Sequence, residues 1–152
     1  MLKILHFPDP FLLIPTVTVA QFDQGLVAYI NEMIVTMDLC KALGLAANQC
    51  GDPRRVCVSR YRGYRNGLSC IWVNPRIVSR ADKVSGPEGC LSFPGMDLTV
   101  ERSATITVQY QDERGGPHQE TLRARETFMA IILQHEIDHL DGRVFIDPST
   151  AT

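Results

Sequence analysis

Gln134-His135-Glu136-Ile137-Asp138-His139-Leu140 is the stretch on which the reading of this chain turns. Residues four apart on an α-helix stand one above the other, so His135 and His139 put both imidazoles on one face and can grip a single metal ion. The carboxylate of Glu136 leaves the helix about 100° round from His135 and can reach a water beside that ion without being a ligand. Phe128, Ile131 and Ile132 precede the histidines on the same stripe. The imidazoles therefore continue an apolar face and point into the core. An amphipathic helix whose histidines are plain core or surface residues is the alternative. Two unpaired imidazoles in a core are costly, however, and a shared metal removes that cost. The layout is that of a metal-assisted hydrolase.

The residues after this helix exclude two ways of completing the site. Metalloproteases with a similar continuation take a third His three residues after the glycine at Gly142, where this chain has Phe145. Thermolysin-like enzymes take a Glu from a later helix, and too little sequence follows His139 for another helical layer. The third ligand then comes from upstream: His6, His118, a carboxylate or one of the five cysteines. Cys90 has the best local setting, within Ser85-Gly86-Pro87-Glu88-Gly89-Cys90-Leu91-Ser92-Phe93-Pro94-Gly95. Gly89 lets the backbone approach a ligand with no Cβ in the way, and the prolines stiffen the loop around the thiolate.

Three ordered blocks resemble the peptide deformylase family: Gly44-Leu45-Ala46-Ala47-Asn48-Gln49, Glu88-Gly89-Cys90-Leu91-Ser92, and Gln134 through Leu140. His6-Phe7-Pro8-Asp9-Pro10 and Val73-Asn74-Pro75 extend the likeness over nearly the whole chain. The resemblance implies hydrolysis of the N-formyl group of formyl-methionyl nascent peptides, with release of formate. It implies Cys90, His135 and His139 as ligands of one divalent metal ion, with Fe(II) the usual family metal. A Cys/His₂ set also admits Zn(II), Ni(II) or Co(II). Glu136 is implied as general base turned general acid, and the Gln49 side-chain amide with the Leu91 backbone N–H as the oxyanion donors. The substrate would pair as an added strand with the backbone of Leu43, Gly44 and Gly89. Phe128, Ile131 and Ile132 are placed to form an apolar methionine pocket, or are simply core. Asp138 orients a ligand, pairs with an arginine such as Arg102, or stands solvated near the helix end. A metallopeptidase cleaving internal bonds and an inactive formyl-peptide-binding homologue are the competing readings. Retention of Glu136 and Gln49 argues against the inactive one, because binding alone requires neither.

The sequence departs from the family pattern at Ala42, where Gly is usual, at Cys50, where an aliphatic is usual, and at Thr127, where Gly commonly opens the metal helix. Asp97 falls where some bacterial members carry Arg near the outer substrate subsites. After Phe145-Ile146-Asp147-Pro148 no C-terminal helix of the kind with which many bacterial members bind the ribosome is expected, which makes this a minimal form.

Composition narrows the class. The chain has 152 residues, 45% of them hydrophobic, enough for one soluble domain over 1–152 with a real core. No apolar run suggests a membrane span, and the N-terminus lacks a signal-peptide pattern. Cytoplasm or an equivalent reducing compartment is expected, and a monomer. Five scattered cysteines make a poor disulfide framework and suit buried thiols plus one ligand. A net charge of −2 gives no electrostatic reason for nucleic-acid binding over the whole surface. Locally, Arg54, Arg55, Arg60, Arg62 and Arg65 cluster with Tyr61 and Tyr64, either as an RNA- or ribosome-facing patch or as a solvated turn between strands.

Asp23 caps a helix running to about Leu39, with Leu26, Ile30, Ile34 and Met37 at helical spacing. Residues 56–59, 71–78 and 105–110 read as strands, followed by a turn at Gly115-Gly116 and a return strand near Thr121. The metal-bearing helix is expected from near Arg125 to a C-cap at Gly142. The fold class is α+β, with short, mostly antiparallel strands packed around the HExxH helix.

Overall fold

The computed structural model describes residues 1–146; residues 147–152, on which the reading of the chain's ending partly falls, lie outside the described residues. Helix α1 spans Gln24–Leu39. It starts where the sequence places it, because the Asp23 carboxylate accepts a hydrogen bond of 2.8 Å from the Leu26 N–H and so satisfies one of the orphan donors of the first turn. Leu26, Ile30, Met33 and Met37 are almost wholly buried. Each contributes roughly 1.5–3 kcal/mol of burial, which a helix of this length needs to be stable. The helix ends with Lys41 in the left-handed region, at φ 54°, and Ala42 N–H closing onto the Met37 carbonyl at 3.0 Å.

Five strands form one antiparallel sheet in sequence order: β1 Gly44–Ala46, β2 Val56–Ser59, β3 Cys70–Cys90, β4 Phe93–Gln111 and β5 Pro117–Arg123. Period-two alternation decides which helix each side chain meets. Leu45, Val56 and Val58 pack toward α1; Ala46, Cys57 and Trp72 pack toward the second helix, α2, Met129–Leu140. The sheet is thus covered by α1 on one face and α2 on the other. A third apolar cluster of Leu12, Phe93, Val100, Val144 and Phe145 closes the end of the molecule nearest Cys90.

Two boundaries differ from the sequence reading. The expected strands 71–78 and 105–110 are the inner parts of β3 and β4, which continue as one long hairpin of 21 and 19 residues. Its outer part is not legible because 80–85 are exposed on every residue, so no burial alternation marks them; they are held by backbone pairing with β4, by Arg80 donating to Gln134 of α2 at 3.1 Å and by the Lys83–Glu101 ion pair, and the hairpin carries register shifts between Val73/Arg76, Ile77/Ser79 and Gly89/Cys90. Helix α2 starts at Met129, not near Arg125. Glu126 and Thr127 donate their N–H groups back to the Arg123 carbonyl in a turn, each at 2.9 Å. The Thr127 hydroxyl then accepts from the Met129 N–H at 3.2 Å. The other end is as expected: Gly142 has φ 71°, and a Cβ there would lie 2.7 Å from the Leu13 carbonyl oxygen.

The sheet leaves two edges open where they matter. Among the described residues, β1 pairs only with β2, and the β3 ladder beyond Val73 runs only with β4. Gly44 and Gly89 lie on these two edges, and both line one cleft.

The arginines of 54–65 are largely spoken for. Arg54 pairs with Asp52, Arg55 with Asp141 and Arg60 with Asp38, each at 2.7 Å, and Arg65 with Glu120 at 3.0 Å. Little unpaired positive charge is left there for a phosphate surface.

Candidate active site

Cys90 ends β3 at the irregularity next to Gly89, and α2 carries the two histidines past it. His139 Nε2 lies 3.2 Å from His135 Nε2 and 3.1 Å from Cys90 Sγ, and the donor atoms of all three lie within 4.8 Å of one another. Of the upstream candidates, His118 is instead bound to Asp112 at the β4–β5 hairpin, and His6 does not join the group. Burial drives the His139 imidazole well below its ordinary pKa, with His135 and the Arg102 guanidinium adding to the effect; it is neutral and free to offer a lone pair. Three donor atoms converging within 4.8 Å in a buried place fit a divalent metal, and a set of one sulfur and two imidazole nitrogens is one that borderline and softer transition metals favour.

His135 is oriented from behind. Its Nδ1 lies 2.8 Å from Glu88 Oε2; an ionised carboxylate only accepts, so Nδ1 carries the proton and Nε2 faces Cys90 and His139. Burial opposes the charge on Glu88, but hydrogen bonds from Arg102 and His135 outweigh it and hold the acid at about 2. Arg102, on β4, grips Glu88 with two bonds of 2.7 and 2.9 Å and also pairs with Asp138 of α2. Asp138 is therefore a buried ion-pair partner of Arg102 and not a solvated carboxylate.

The role of Glu88 was missed in the sequence. The signal that would have found it is proximity: an acidic residue two before Cys90, lining the same cleft. Gln134 was also missed. It fixes the register of α2 on β4 through Ser103, accepting from its N–H at 3.0 Å and donating to its carbonyl at 2.9 Å. Asn48 donates its side-chain amide to the His139 carbonyl.

Leu43, Gly44, Gln49, Gly89, Cys90, Leu91, Phe128, Ile131, Ile132, His135 and Glu136 line one cleft of about 440 Å³. His139, 1% exposed, is not among the lining residues and stands beside Cys90. Glu136 is 4% exposed, and its Oε2 has no hydrogen-bond partner among the described residues. Burial raises its pKa to about 7, a shift that His135 and Arg102 reduce and Glu88 reinforces. The carboxylate lies against Gly44, where a Cβ would fall 2.7 Å from its carboxyl carbon. The Gln49 side chain is held at both ends: Oε1 accepts from Ala46 N–H at 2.9 Å, and Nε2 donates to Ser92 Oγ at 3.1 Å and faces Cys90 Sγ at 3.6 Å. Leu43 is exposed, and its carbonyl accepts from Arg60 N–H at 2.8 Å. Ile131 and Ile132 are nearly buried and Phe128 is open. Ile132 belongs at once to the cleft wall and to the core between α2 and the sheet, so the two readings of this stripe do not compete.

The polypeptide deformylase family model matches residues 1–152. The peptide deformylase of Alkalilimnicola ehrlichii is 40% identical over 149 residues, which cover 97% of this chain and 81% of that one. The peptide deformylase of Nitrosococcus oceani is 38% identical, with 97% and 86% covered. Among solved structures, a peptide deformylase from Thermotoga maritima matches with a TM-score of 0.90 at 37% identity, over 97% of this chain and 96% of the other. A probable peptide deformylase from Synechococcus phage S-SSM7 matches with a TM-score of 0.89 at 33% identity, over 97% and 99%. With sequence, fold and a thiolate–bis-imidazole cleft all in agreement, the chain belongs to the polypeptide deformylase family.

Proposed function

We infer that this chain is a metal-dependent peptide deformylase, hydrolysing the N-formyl group of formyl-methionyl nascent peptides and releasing formate. The observation that carries the reading is the convergence of Cys90, His135 and His139 beside a buried Glu136 whose Oε2 lacks a partner, in a cleft bordered by two open sheet edges. Cys90, His135 and His139 would hold a divalent ion, Fe(II) by family resemblance, which would supply electrophilic polarisation of the formyl group and acidification of water toward a pKa of ~7. The donor set suits Zn(II), Ni(II) and Co(II) as well.

Glu136 takes a proton from the attacking water as its oxygen bonds to the formyl carbon, and gives that proton to the amine as the C–N bond breaks. A carboxyl whose burial sets its pKa near neutrality can do both within one turnover. The Gln49 amide, fixed by Ala46 and Ser92, and the Leu91 N–H donate to the developing oxyanion. Glu88 keeps His135 in one tautomer. The peptide lies extended between the edges at Gly44 and Gly89, and main-chain pairing there ignores side-chain identity, as an enzyme serving many nascent chains requires. Leu43 borders the same path, and Phe128, Ile131 and Ile132 receive the methionine. No helix among the described residues is long and apolar enough to cross a membrane; our reading is of one catalytic domain acting as a monomer in the cytoplasm.

An assay of the metal-replete protein with formyl-Met-Ala and with an unformylated, internally cleavable peptide tests this. Formate from the first and no cleavage of the second is expected. Internal cleavage without formate would make it a metallopeptidase, and tight binding of formyl-Met-Ala without turnover an inactive homologue.

Oxidation offers a second test. Cys57 is fully buried, and burial, with Asp52 adding, pushes the Cys50 thiol up to about 12; neither is a ready thiolate. Cys90, held as a ligand, is the oxidisable sulfur of the site. Peroxide is expected to abolish activity and release the metal, with sulfinic or sulfonic acid at Cys90 by mass spectrometry. Inactivation with Cys90 intact and oxidation confined to Cys40, Cys50, Cys57 or Cys70 would overturn the assignment.

A further inference from the structure

Behind the apolar wall of the cleft stands a residue that does not itself line it. Tyr61, in the loop between β2 and β3, places its ring 5.9 Å from that of Phe128, centroid to centroid, with the planes at 49°. Phe128 is the wall residue with the most freedom. It is 37% exposed and precedes the first residue of α2, so the packing of the helix body does not lock its ring as it locks Ile131 and Ile132. The loop that carries Tyr61 is fastened at both ends. Arg60 donates its backbone N–H to the Leu43 carbonyl at 2.8 Å and its guanidinium to Asp38 of α1 at 2.7 Å. Beyond Tyr61, the Tyr64 hydroxyl donates to Glu120, and Arg65 donates to Glu120 at 3.0 Å and to the Tyr110 hydroxyl at 3.1 Å. Gly63 leaves room for the ring, since a Cβ there would fall 2.8 Å from Tyr61 Cε1. One loop therefore touches two residues of the cleft lining, Leu43 through Arg60 and Phe128 through Tyr61.

We propose that Tyr61 is a positioning residue for substrate selection: by holding the Phe128 ring it fixes the width of the pocket that takes the first side chain of the formylated peptide. The inference rests on the deformylase reading and extends it to a residue outside the cleft. With Tyr61 present, Phe128 has one face toward the substrate and another against a rigid ring, and a flexible unbranched side chain passes where a bulky one does not. Without it, Phe128 swings into the space left behind, and the pocket admits larger groups. Apolar pockets discriminate one methylene by about 10- to 200-fold, so loss of the wall's support reads out as loss of preference rather than of chemistry.

The experiment compares kcat/KM for formyl-Met-Ala and formyl-Phe-Ala in metal-replete wild type, Tyr61→Ala and Tyr61→Phe, with Tyr61→Leu standing in if the alanine variant does not fold. The expected result is a fall of about tenfold in the Met-over-Phe preference of Tyr61→Ala or Tyr61→Leu, carried mainly by a lower KM for formyl-Phe-Ala, with kcat on formyl-Met-Ala little changed. Tyr61→Phe, which keeps the ring, is expected to keep the wild-type preference. A preference within twofold of wild type in the ring-less variant, an equal loss on both substrates, or failure of Tyr61→Phe to retain it would overturn the proposal. A wild-type protein that releases formate from neither substrate would instead overturn the deformylase reading itself.

Discussion

Glu136→Gln is expected to retain the metal and to lose deformylation by about 10²- to 10⁴-fold in kcat, the range that general acid–base groups contribute. The change is nearly isosteric, so the cleft keeps its shape. Little is lost to folding either, because Glu136 Oε2 has no hydrogen-bond partner to give up. Cys90, His135 and His139 are untouched, and the bond from His135 to Glu88 that orients the imidazole is made on its other side. What disappears is a basic oxygen able to accept a proton from water and return it to the amine. Metal content by elemental analysis and formate release should therefore separate cleanly. A metal-replete Glu136→Gln protein with more than about a tenth of wild-type turnover would remove Glu136 from the mechanism.

The part of this site that could be read from sequence is the part set by local geometry. Two histidines four residues apart on a helix can only share a face, and α2 places them with Nε2 atoms 3.2 Å apart. The third ligand is another matter. Its setting among glycines and prolines favours Cys90, but the meeting with His139 depends on where a long hairpin ends and on the irregularity at Gly89/Cys90, and nothing local specifies either. The hairpin itself is only half visible, since periodicity reports burial and residues 80–85 bury no face. The start of α2 was misplaced for a different reason: Arg125 and Glu126 are good helix formers, and the turn they occupy is set by hydrogen bonds to Arg123. The pairing of Arg102 with Asp138 is one of three readings the sequence leaves open for that carboxylate, whereas the bidentate grip of Arg102 on Glu88 leaves no local mark. The ion pairs of Arg55 and Arg65 show the same limit, because Asp141 and Glu120 are far away in sequence and reach them only through the fold.

Gly44→Ala isolates the second requirement, that the base have room to stand where it does. Gly44 does not need glycine for its backbone, since it is absent from the positive-φ residues. Adding a methyl group there should not strain the chain, and it restricts the unfolded state, an effect worth roughly 0.4–1 kcal/mol in favour of folding at a compatible site. The obstacle is Glu136. The new Cβ would lie 2.7 Å from its carboxyl carbon and 2.8 Å from its Cγ, and closer still to Oε1. A glutamate side chain on a helix gives way by changing rotamer more readily than strand β1, which is paired with β2 along its length, can move. The carboxylate is then turned away from the ligands, and a displacement of about 1 Å at a catalytic group costs on the order of 10²-fold or more. The same methyl group also stands on the edge offered to the peptide backbone, so KM should rise as well. The expected outcome is a protein that melts within a few degrees of wild type, binds metal normally, and has lost at least about 10²-fold in kcat/KM for formyl-Met-Ala. Thermal melting, metal analysis and formate release on one preparation decide it: retained activity would mean that the carboxylate has slack at this wall, and a large fall in melting temperature would mean that Gly44 is required by the fold and not by Glu136.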